Sequence, residues 1–132
     1  MKILVDTSYW SIVFRRKHPD ENEMARFNDI IENEELYVTG IIIQELLSHI
    51  TNDSLYNKIE NIISGIGYIE PEIEDYLLAS KLCNSLKSHG VSASTIDLLI
   101  SSIAIRRNMH LLSKDNDYLH ISKYSKLKLL NE

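Results

Sequence analysis

The first ten residues, Met-Lys-Ile-Leu-Val-Asp-Thr-Ser-Tyr-Trp, place a short apolar run directly before an acidic residue. Ile3, Leu4 and Val5 form a continuous apolar segment, which is typical of a strand buried on both faces of a parallel sheet. Asp6 ends the run, and helical apolar spacing begins at Trp10. In open α/β sheets, ligands bind at the carboxyl ends of the strands. The opening segment therefore predicts a strand-to-helix corner with Asp6 at the edge where a ligand would bind.

Short strands and amphipathic helices alternate along the rest of the chain. Further strands are predicted at residues 36–38, 68–69, 110–113 and 127–130. Beyond the short helix after Asp6, helices are predicted to begin after Pro19, at Gly40, after Asn52 or Asp53, at Pro71 and at Ile96, with a helical turn at 118–121. Thr39 is expected to cap one helix, and Gly90 and Asn108 are expected to end two others. This alternation predicts an α/β fold with a parallel sheet, in a single domain over residues 1–132.

Composition limits the function classes. The net charge of −5, from 14 Lys and Arg against 19 Asp and Glu, argues against a protein that coats nucleic acid passively, since such a protein needs a basic surface. Cys83 is the only cysteine, which excludes an internal disulfide and a cysteine-rich zinc site and fits a reducing cytoplasm. No apolar stretch is long enough to cross a membrane, and Asp6 interrupts the apolar segment that a signal peptide needs. We therefore expect a cytoplasmic protein.

Several acidic residues lie where a parallel sheet would bring them to one edge. They are Asp6 at the end of the first strand, Glu45 in the helix after the second, Asp97 near the start of a later helix, and Asp115 and Asp117 after the fourth strand. Each has a simpler explanation by itself. Asp6 would serve as a helix cap, Glu45 as part of a solvated helix face, and the last two as turn residues.

Asp97 is the acid that a simple structural role explains least well. Its helix, Ile96 to Ile105, is apolar on nearly all sides and is therefore predicted to be largely buried. The helix dipole favours an acid near the N-terminus by roughly 0.3–1 kcal/mol. Burying an unpaired carboxylate costs several kcal/mol, and no Lys or Arg lies within one helical turn of it in the sequence. A divalent cation would offset that cost.

Converging carboxylates indicate which metal and which chemistry to expect. Hard oxygen ligands without a histidine or cysteine partner suit Mg²⁺ or Mn²⁺ rather than zinc. Such an ion binds phosphate oxygens and activates water for attack on a phosphodiester. An EF-hand calcium loop beginning at Asp115 is excluded, because His120 and Lys126 replace the turn glycine and the bidentate glutamate.

Four spaced segments together resemble a known family. They are Val5-Asp6-Thr7-Ser8, Glu45-Leu46, Asp97-Leu98-Leu99-Ile100 and Leu112-Ser113-Lys114-Asp115-Asn116-Asp117-Tyr118. Their order and spacing resemble the PIN-domain ribonucleases, and among these the VapC-type toxins of toxin–antitoxin pairs. The resemblance covers nearly the whole chain. It implies a three-layer α/β/α domain with a central four- or five-stranded parallel sheet, a metal-dependent endoribonuclease, a cognate antitoxin and a homodimer.

The resemblance also implies roles for individual residues. The catalytic acids would be Asp6, Glu45, Asp97 and Asp115, and the residues holding Mg²⁺ or Mn²⁺ would be Asp6, Asp97, Asp115 and Asp117. Glu45 would bind the metal through water or position the attacking water. The hydroxyl side chains expected to hydrogen-bond the acids or the phosphate are Thr7, Ser8 and Ser113. The candidates for RNA contacts are Arg15, Arg16, Arg106, Arg107 and Lys114, although a solvated surface explains each of these better than RNA binding does.

The expected reaction is hydrolysis of RNA by metal-activated water, leaving a 5′-phosphate and a 3′-hydroxyl. Two alternatives remain open. One is a PIN nuclease of RNA maturation, which shares the chemistry and differs in physiology. The other is a non-catalytic PIN-like module that binds protein or RNA.

Overall fold

Five strands and seven helices form the described part of the chain, which in this computed structural model comprises residues 1–14 and 20–130. The strands are β1 (Lys2–Val5), β2 (Glu35–Thr39), β3 (Gly67–Ile69), β4 (His110–Leu112) and β5 (Lys128–Leu129). The helices are α1 (Thr7–Phe14), α2 (Glu21–Asn33), α3 (Gly40–Leu47), α4 (Asp53–Ser64), α5 (Ile73–Ser88), α6 (Thr95–Arg106) and α7 (Asp117–Lys123). None of these helices is both long and apolar enough to span a bilayer.

The strands form one parallel sheet in the order β3-β2-β1-β4-β5. The chain steps outward from β1 to β3, crosses back to β4 and continues to β5. Right-handed crossovers then place α1–α4 on one face and α5–α7 on the other. Contacts of α1 with α2 and α3, and of α6 with α5 and α7, agree with these two layers. The predicted α/β/α fold is confirmed, with five strands.

The centre of the sheet is fully enclosed. Ile3, Leu4 and Val5 are all buried, as the opening apolar run predicts for a central strand. On the α1 face, the Trp10 ring lies 5.2 Å from the Phe27 ring in an edge-to-face arrangement, and the Trp10 indole N–H donates to the Val5 carbonyl at 3.2 Å. These contacts pack α1 and α2 against β1. The end of β1, where Asp6 lies, is thereby held rigidly.

One helix boundary and one helix cap differ from the sequence prediction. The helix expected at Pro71 begins at Ile73, because the Asp75 side chain accepts a hydrogen bond from the Glu72 N–H at 2.7 Å and the chain turns there. Thr39 is at the N-cap position of α3, but its hydroxyl donates to the Ile69 carbonyl at 2.8 Å instead of capping the helix. Asn108 has the predicted left-handed conformation, with φ of 54°.

The Asp75 side chain is completely buried and joins the start of α5 to the end of α6. Its Oδ1 accepts hydrogen bonds from Nη1 of Arg106 at 2.9 Å and from Nη1 of Arg107 at 2.8 Å, and its Oδ2 accepts one from Nη2 of Arg107 at 3.0 Å. Burial by itself would raise the pKa of Asp75. The hydrogen bonds from Arg107, the Glu72 N–H and Arg106 outweigh it and lower the pKa to about 2.

Candidate metal centre

The carboxyl ends of β1 and β4 form the point where the strand order reverses. From β1 the chain continues towards β2, whereas β4 leads to β5 on the opposite side. Such a switch point is where open α/β sheets form ligand crevices. Val5 pairs with Leu112 in register, so the next residues, Asp6 and Ser113, lie side by side at this edge.

Asp6 is held by a pair of serine hydroxyls. Its Oδ2 accepts hydrogen bonds from Ser8 Oγ at 2.7 Å and from Ser113 Oγ at 2.9 Å. The Ser8 oxygen in turn accepts from the Lys114 N–H, and the Ser113 oxygen accepts from the Asp115 N–H, each at 3.0 Å. Since each hydroxyl has one proton and gives it to Asp6, the two serines connect this carboxylate to the turn after β4.

Asp97 reaches the same edge from the first turn of α6. The Ser94 hydroxyl caps that helix by accepting from the Asp97 N–H at 3.1 Å. Tyr118, on α7, donates its hydroxyl proton to Asp97 Oδ1 at 3.1 Å, and the Tyr118 hydroxyl oxygen also lies 3.5 Å from Asp6 Oδ1. The buried Tyr118 hydroxyl therefore lies between two carboxylates from distant parts of the chain.

Asp97, Asp115 and Asp117 each place one carboxylate oxygen within 4.8 Å of the others. Two ligands of a single Mg²⁺ at about 2.1 Å are separated by at most about 4.2 Å. Oxygen atoms within 4.8 Å of one another are therefore close enough to share one ion, directly or after small side-chain rotations. Its donor set, oxygen atoms alone, is the kind that Mg²⁺ and Mn²⁺ prefer. These residues fit such an ion.

Electrostatic coupling joins Glu45 to the same cluster. Burial raises the pKa of the Glu45 carboxyl, and the charges of Asp6 and Asp97 raise it further. The pKa of Asp97 is also raised, first by burial; hydrogen bonds from Tyr118 and Ser94 oppose the rise, and the charges of Asp115 and Asp6 add to it. Acids that raise one another's pKa values by proximity are typical of sites that receive a cation.

A family model for the PIN domain matches residues 3–124 of this chain. The match covers both strands that bring the acids together and all five acidic residues. The chain belongs to the PIN domain family. Members of this family are generally nucleases and usually use divalent metals, in agreement with the oxygen-only cluster of this PIN domain. No curated protein sequence matches the chain.

Solved structures share the fold over the full length of this PIN domain. VapBC2 from Rickettsia felis, bound to a DNA fragment from its promoter, is 21% identical with a TM-score of 0.79, over 100% of this chain and 99% of that one. VapBC-1 from nontypeable Haemophilus influenzae is 19% identical with a TM-score of 0.77, over 99% and 98%. FitAcB from Neisseria gonorrhoeae is 19% identical with a TM-score of 0.73, over 98% and 96%.

Among the predicted hydroxyl side chains, this PIN domain brings Ser8 and Ser113 to Asp6, but not Thr7. The Thr7 Oγ1 is buried and makes no hydrogen bond to any residue that the structure describes. The position in the helix alone does not explain this, because the hydroxyl of Ser8, one residue later, contacts Asp6, Ser113 and the Lys114 N–H. The difference is one of direction: Ser8 faces the turn after β4.

The predicted RNA contacts are in several different environments. Arg106 and Arg107 bind Asp75 at the end of α6, about 14 Å along the helix axis from Asp97. Lys114 lies beside the acids, where its Nζ is 3.0 Å from Glu23 Oε1 on α2 and 5.8 Å from the centre of the Tyr9 ring. Arg15 and Arg16, the remaining two, lie outside the described residues.

Tyr118 is the residue of this site that sequence reasoning missed. In the sequence Tyr118 is the last residue of the Leu112-to-Tyr118 segment, and an aromatic residue there indicates a buried ring and not a hydroxyl in contact with acids. Burial and the charges of Asp6 and Asp97 raise the pKa of Tyr118 far above its ordinary value. The hydroxyl is therefore protonated at neutral pH and acts as a donor. The only signal in the sequence was the choice of tyrosine over phenylalanine at this position.

Proposed function

We propose that this protein is a metal-dependent endoribonuclease. The observation that carries the proposal is the convergence of Asp97, Asp115 and Asp117 within 4.8 Å, with Asp6 joined to Asp97 through the Tyr118 hydroxyl. Concentrated negative charge at the switch point of a parallel sheet is suited to hold Mg²⁺ or Mn²⁺ against a phosphate.

Each acid has a distinct task in this proposal. Asp97, Asp115 and Asp117 would hold the cation, and Asp6, whose orientation is fixed by the two serines, would be a further ligand. A bound Mg²⁺ or Mn²⁺ would supply phosphate charge neutralisation and a water of lowered pKa. Glu45 would position the attacking water and accept its proton, since a carboxylate with a raised pKa is the stronger base. The cut leaves a 5′-phosphate and a 3′-hydroxyl.

We further infer that the nuclease is the toxin of a toxin–antitoxin pair. The supporting observation is the fold likeness over the full length of the chain to structures described as VapBC complexes. An antitoxin would cover the acids with a basic side chain, because the cluster attracts any cation. A homodimer is also proposed, and the exposed apolar side chains Ile73, Tyr76 and Leu77 at the start of α5 support it. Cytoplasmic location follows from the same proposal.

Cleavage of total cellular RNA by the purified protein tests the catalytic proposal. The wild type is compared with Asp97→Asn in Mg²⁺, Mn²⁺ or EDTA. Asp53→Asn is the matched control, because Asp53 also lies in the first turn of a helix but is exposed and outside the cluster. We expect discrete cuts that are lost in Asp97→Asn and in EDTA and retained in Asp53→Asn. Equal cleavage by folded Asp97→Asn and wild type, without a metal requirement, would refute the proposal.

Physiology is tested separately. If the protein is a toxin, we expect a small antitoxin-like reading frame beside its gene. Expression of the protein alone should then arrest growth, and only the product of that reading frame should relieve the arrest. An RNA-maturation nuclease would instead give unprocessed precursor RNA when the gene is deleted. A protein that binds RNA equally well with Asp6 or Asp97 changed to asparagine, and cuts nothing, would be the non-catalytic module.

A further inference from the structure

A cavity of about 190 Å³ opens beside the metal-binding acids, between the turn after β4, α7 and the β5 edge of the sheet. Its apolar wall is formed by Leu111, Leu129, Leu130 and Leu119, and its polar wall by Lys114 and Asn116. Asp115 and Tyr118 also line it, and both belong to the metal centre. A molecule in this cavity would therefore touch the site where a phosphate is expected.

Two residues of the cavity wall have exposed side chains for which the packing of the protein gives no structural role. Leu119 is 54% exposed although it is a large apolar side chain. Asn116 is exposed, and its side-chain amide makes no hydrogen bond within the described part of the chain, although it is the residue preceding α7. The cavity thus offers an aliphatic surface next to an amide that can both donate and accept a hydrogen bond.

The size and chemistry of this cavity suit one planar heterocycle. An apolar cavity of about 150 Å³ can hold benzene, so 190 Å³ is sufficient for an aromatic ring system of modest size. Aliphatic side chains cover the faces of such a ring, and a free amide reads the donor and acceptor groups of its edge. A phosphate or a metal ion alone would leave the leucine wall unused.

We propose that this cavity binds one nucleobase of the RNA, adjacent to the phosphate that is cut. The inference rests on the proposed nuclease function and deepens it, because it assigns substrate recognition to Asn116 and Leu119. The base next to the scissile phosphate packs on Leu119 and hydrogen-bonds Asn116. Asp115 then holds the cation at one end of the cavity. This cavity then determines which base the enzyme prefers next to the cleavage site.

The test uses single-stranded oligoribonucleotides that contain one mapped cleavage site. An abasic residue is introduced at each position in turn, and kcat/KM is measured for the wild type. We expect one position flanking the cut at which loss of the base lowers kcat/KM by about tenfold or more, because both the apolar contact and the hydrogen bond are lost. Positions farther away should change it by less than about twofold.

Two variants connect that position to the cavity. Leu119→Ala and Asn116→Ala should each lower kcat/KM for the intact oligonucleotide by roughly fivefold and should cut the abasic oligonucleotide at the wild-type rate. Ile31→Ala and Asn84→Ala are the matched controls, since Ile31 on α2 is 37% exposed and Asn84 on α5 is also exposed. These controls should behave as wild type on both substrates.

A binding measurement separates the subsite from catalysis. Fluorescence anisotropy in EDTA should show weaker binding of the intact oligonucleotide to Leu119→Ala and Asn116→Ala, and equal binding of the abasic one to all variants. If the wild type cuts RNA but no abasic position matters, or if both variants match their controls, the subsite is refuted and the nuclease stands. If the wild type cuts no RNA, the proposed function itself fails, and the subsite fails with it.

Discussion

The Tyr118 hydroxyl lies 3.1 Å from Asp97 Oδ1 and donates its proton to that oxygen. This contact connects α7 to the first turn of α6, and it fixes the orientation of an acid whose pKa is raised by burial. A carboxylate held by a protein donor is pre-organised, because fewer of its orientations must be lost when a cation binds. The hydroxyl thus contributes to the metal centre without being one of its acids.

We predict that Tyr118→Phe weakens Mn²⁺ binding by roughly 10- to 100-fold, the range found when a hydrogen-bond partner of a metal ligand is removed. The ring stays in place, so the fold should be retained. Isothermal titration calorimetry measures the Kd, and RNA cleavage at saturating metal measures kcat. Tyr124→Phe is the control, because the Tyr124 ring stacks on His89 and its hydroxyl has no hydrogen bond in the described chain. Indistinguishable Kd values for the two variants would contradict the prediction.

The two serines that hold Asp6 should act together. Ser8→Ala or Ser113→Ala removes one of two donors to the same Asp6 oxygen, and we expect each to lower cleavage by roughly 10-fold or more. The double variant should deviate from the sum of the single effects by about 0.5–3 kcal/mol, as residues of one network do. Thr7→Val is the control. It replaces a buried hydroxyl without a partner, so activity should be unchanged and stability equal or higher. Additive serine effects would show that the hydroxyls act independently.

The raised pKa values of Glu45 and Asp97 predict how the metal-free protein responds to pH. A carboxyl whose pKa is higher in the folded than in the unfolded state favours folding when protonated. That contribution is present below its ordinary pKa and is lost as the pH rises through the raised value. Mn²⁺ binds the charged form, so the increase in Tm that Mn²⁺ causes should be larger at pH 8 than at pH 5. Thermal melts with and without Mn²⁺ measure it.

Asp97→Asn should raise the Tm of the metal-free protein at pH 8 by a few degrees, because it removes a repelling charge while keeping the shape of the side chain. It should also abolish most of the Mn²⁺-induced increase in Tm. Asp53→Asn, at an exposed helix start, should do neither. A metal-free Asp97→Asn protein that melts below the wild type at pH 8 would show that the repulsion is not the dominant effect.

Asp75→Asn should destabilise the protein without altering the metal centre. Removing the charge leaves Arg106 and Arg107 with the exposed Glu72 as their ion-pair partner, and weakening a hydrogen bond between charged groups costs about 1.5–3 kcal/mol. Urea denaturation at pH 7 measures this, with the exposed Glu74→Gln as control. Mn²⁺ affinity of the folded variant should match the wild type, and a change in that affinity would mean that the two ends of α6 are coupled.

The lowered pKa of Asp75 predicts that the protein loses stability in acid. The pKa of Asp75 is lowered to about 2 from 3.8, so its stabilising contribution is complete above pH 3.8 and is lost as the pH falls towards 2. The difference in free energy of unfolding between wild type and Asp75→Asn should therefore shrink over this interval. Urea midpoints measured between pH 2 and pH 5 check it, and a constant difference would assign the effect to packing.

The fold and most of the acids could be predicted because their signals are local. The apolar run before Asp6 indicates that this acid ends a buried strand. The apolar residues around Asp97 indicate that this acid lies in the first turn of a buried helix. The roles of Tyr118 and Asp75 could not be predicted, because their partners are distant in the sequence. Tyr118 lies 21 residues from Asp97, and Asp75 lies 31 residues from Arg106 and 32 from Arg107. Nothing near either residue indicates where α7 or the end of α6 will pack.

The partners of the basic residues could not be predicted from the sequence either. Arg106 and Arg107 look like surface cations in the sequence, yet they compensate a buried carboxylate. Lys114 was considered for RNA binding, and the structure adds Glu23 as its ion-pair partner from α2. A charge count identifies how many cations a chain has. It does not identify which ones its own fold already uses.

The hydrogen bond from Ser113 to Asp6 spans 107 residues, and this has a consequence for biosynthesis. A ribosome adding about 5–20 residues per second delivers Ser113 on the order of ten seconds after Asp6. A nascent chain that ends before β4 therefore carries Asp6, Glu45 and Asp97 but has no strand to gather them. The proposed nuclease therefore stays inert on the ribosome until the segment after β4 has been made and can fold back against Asp6.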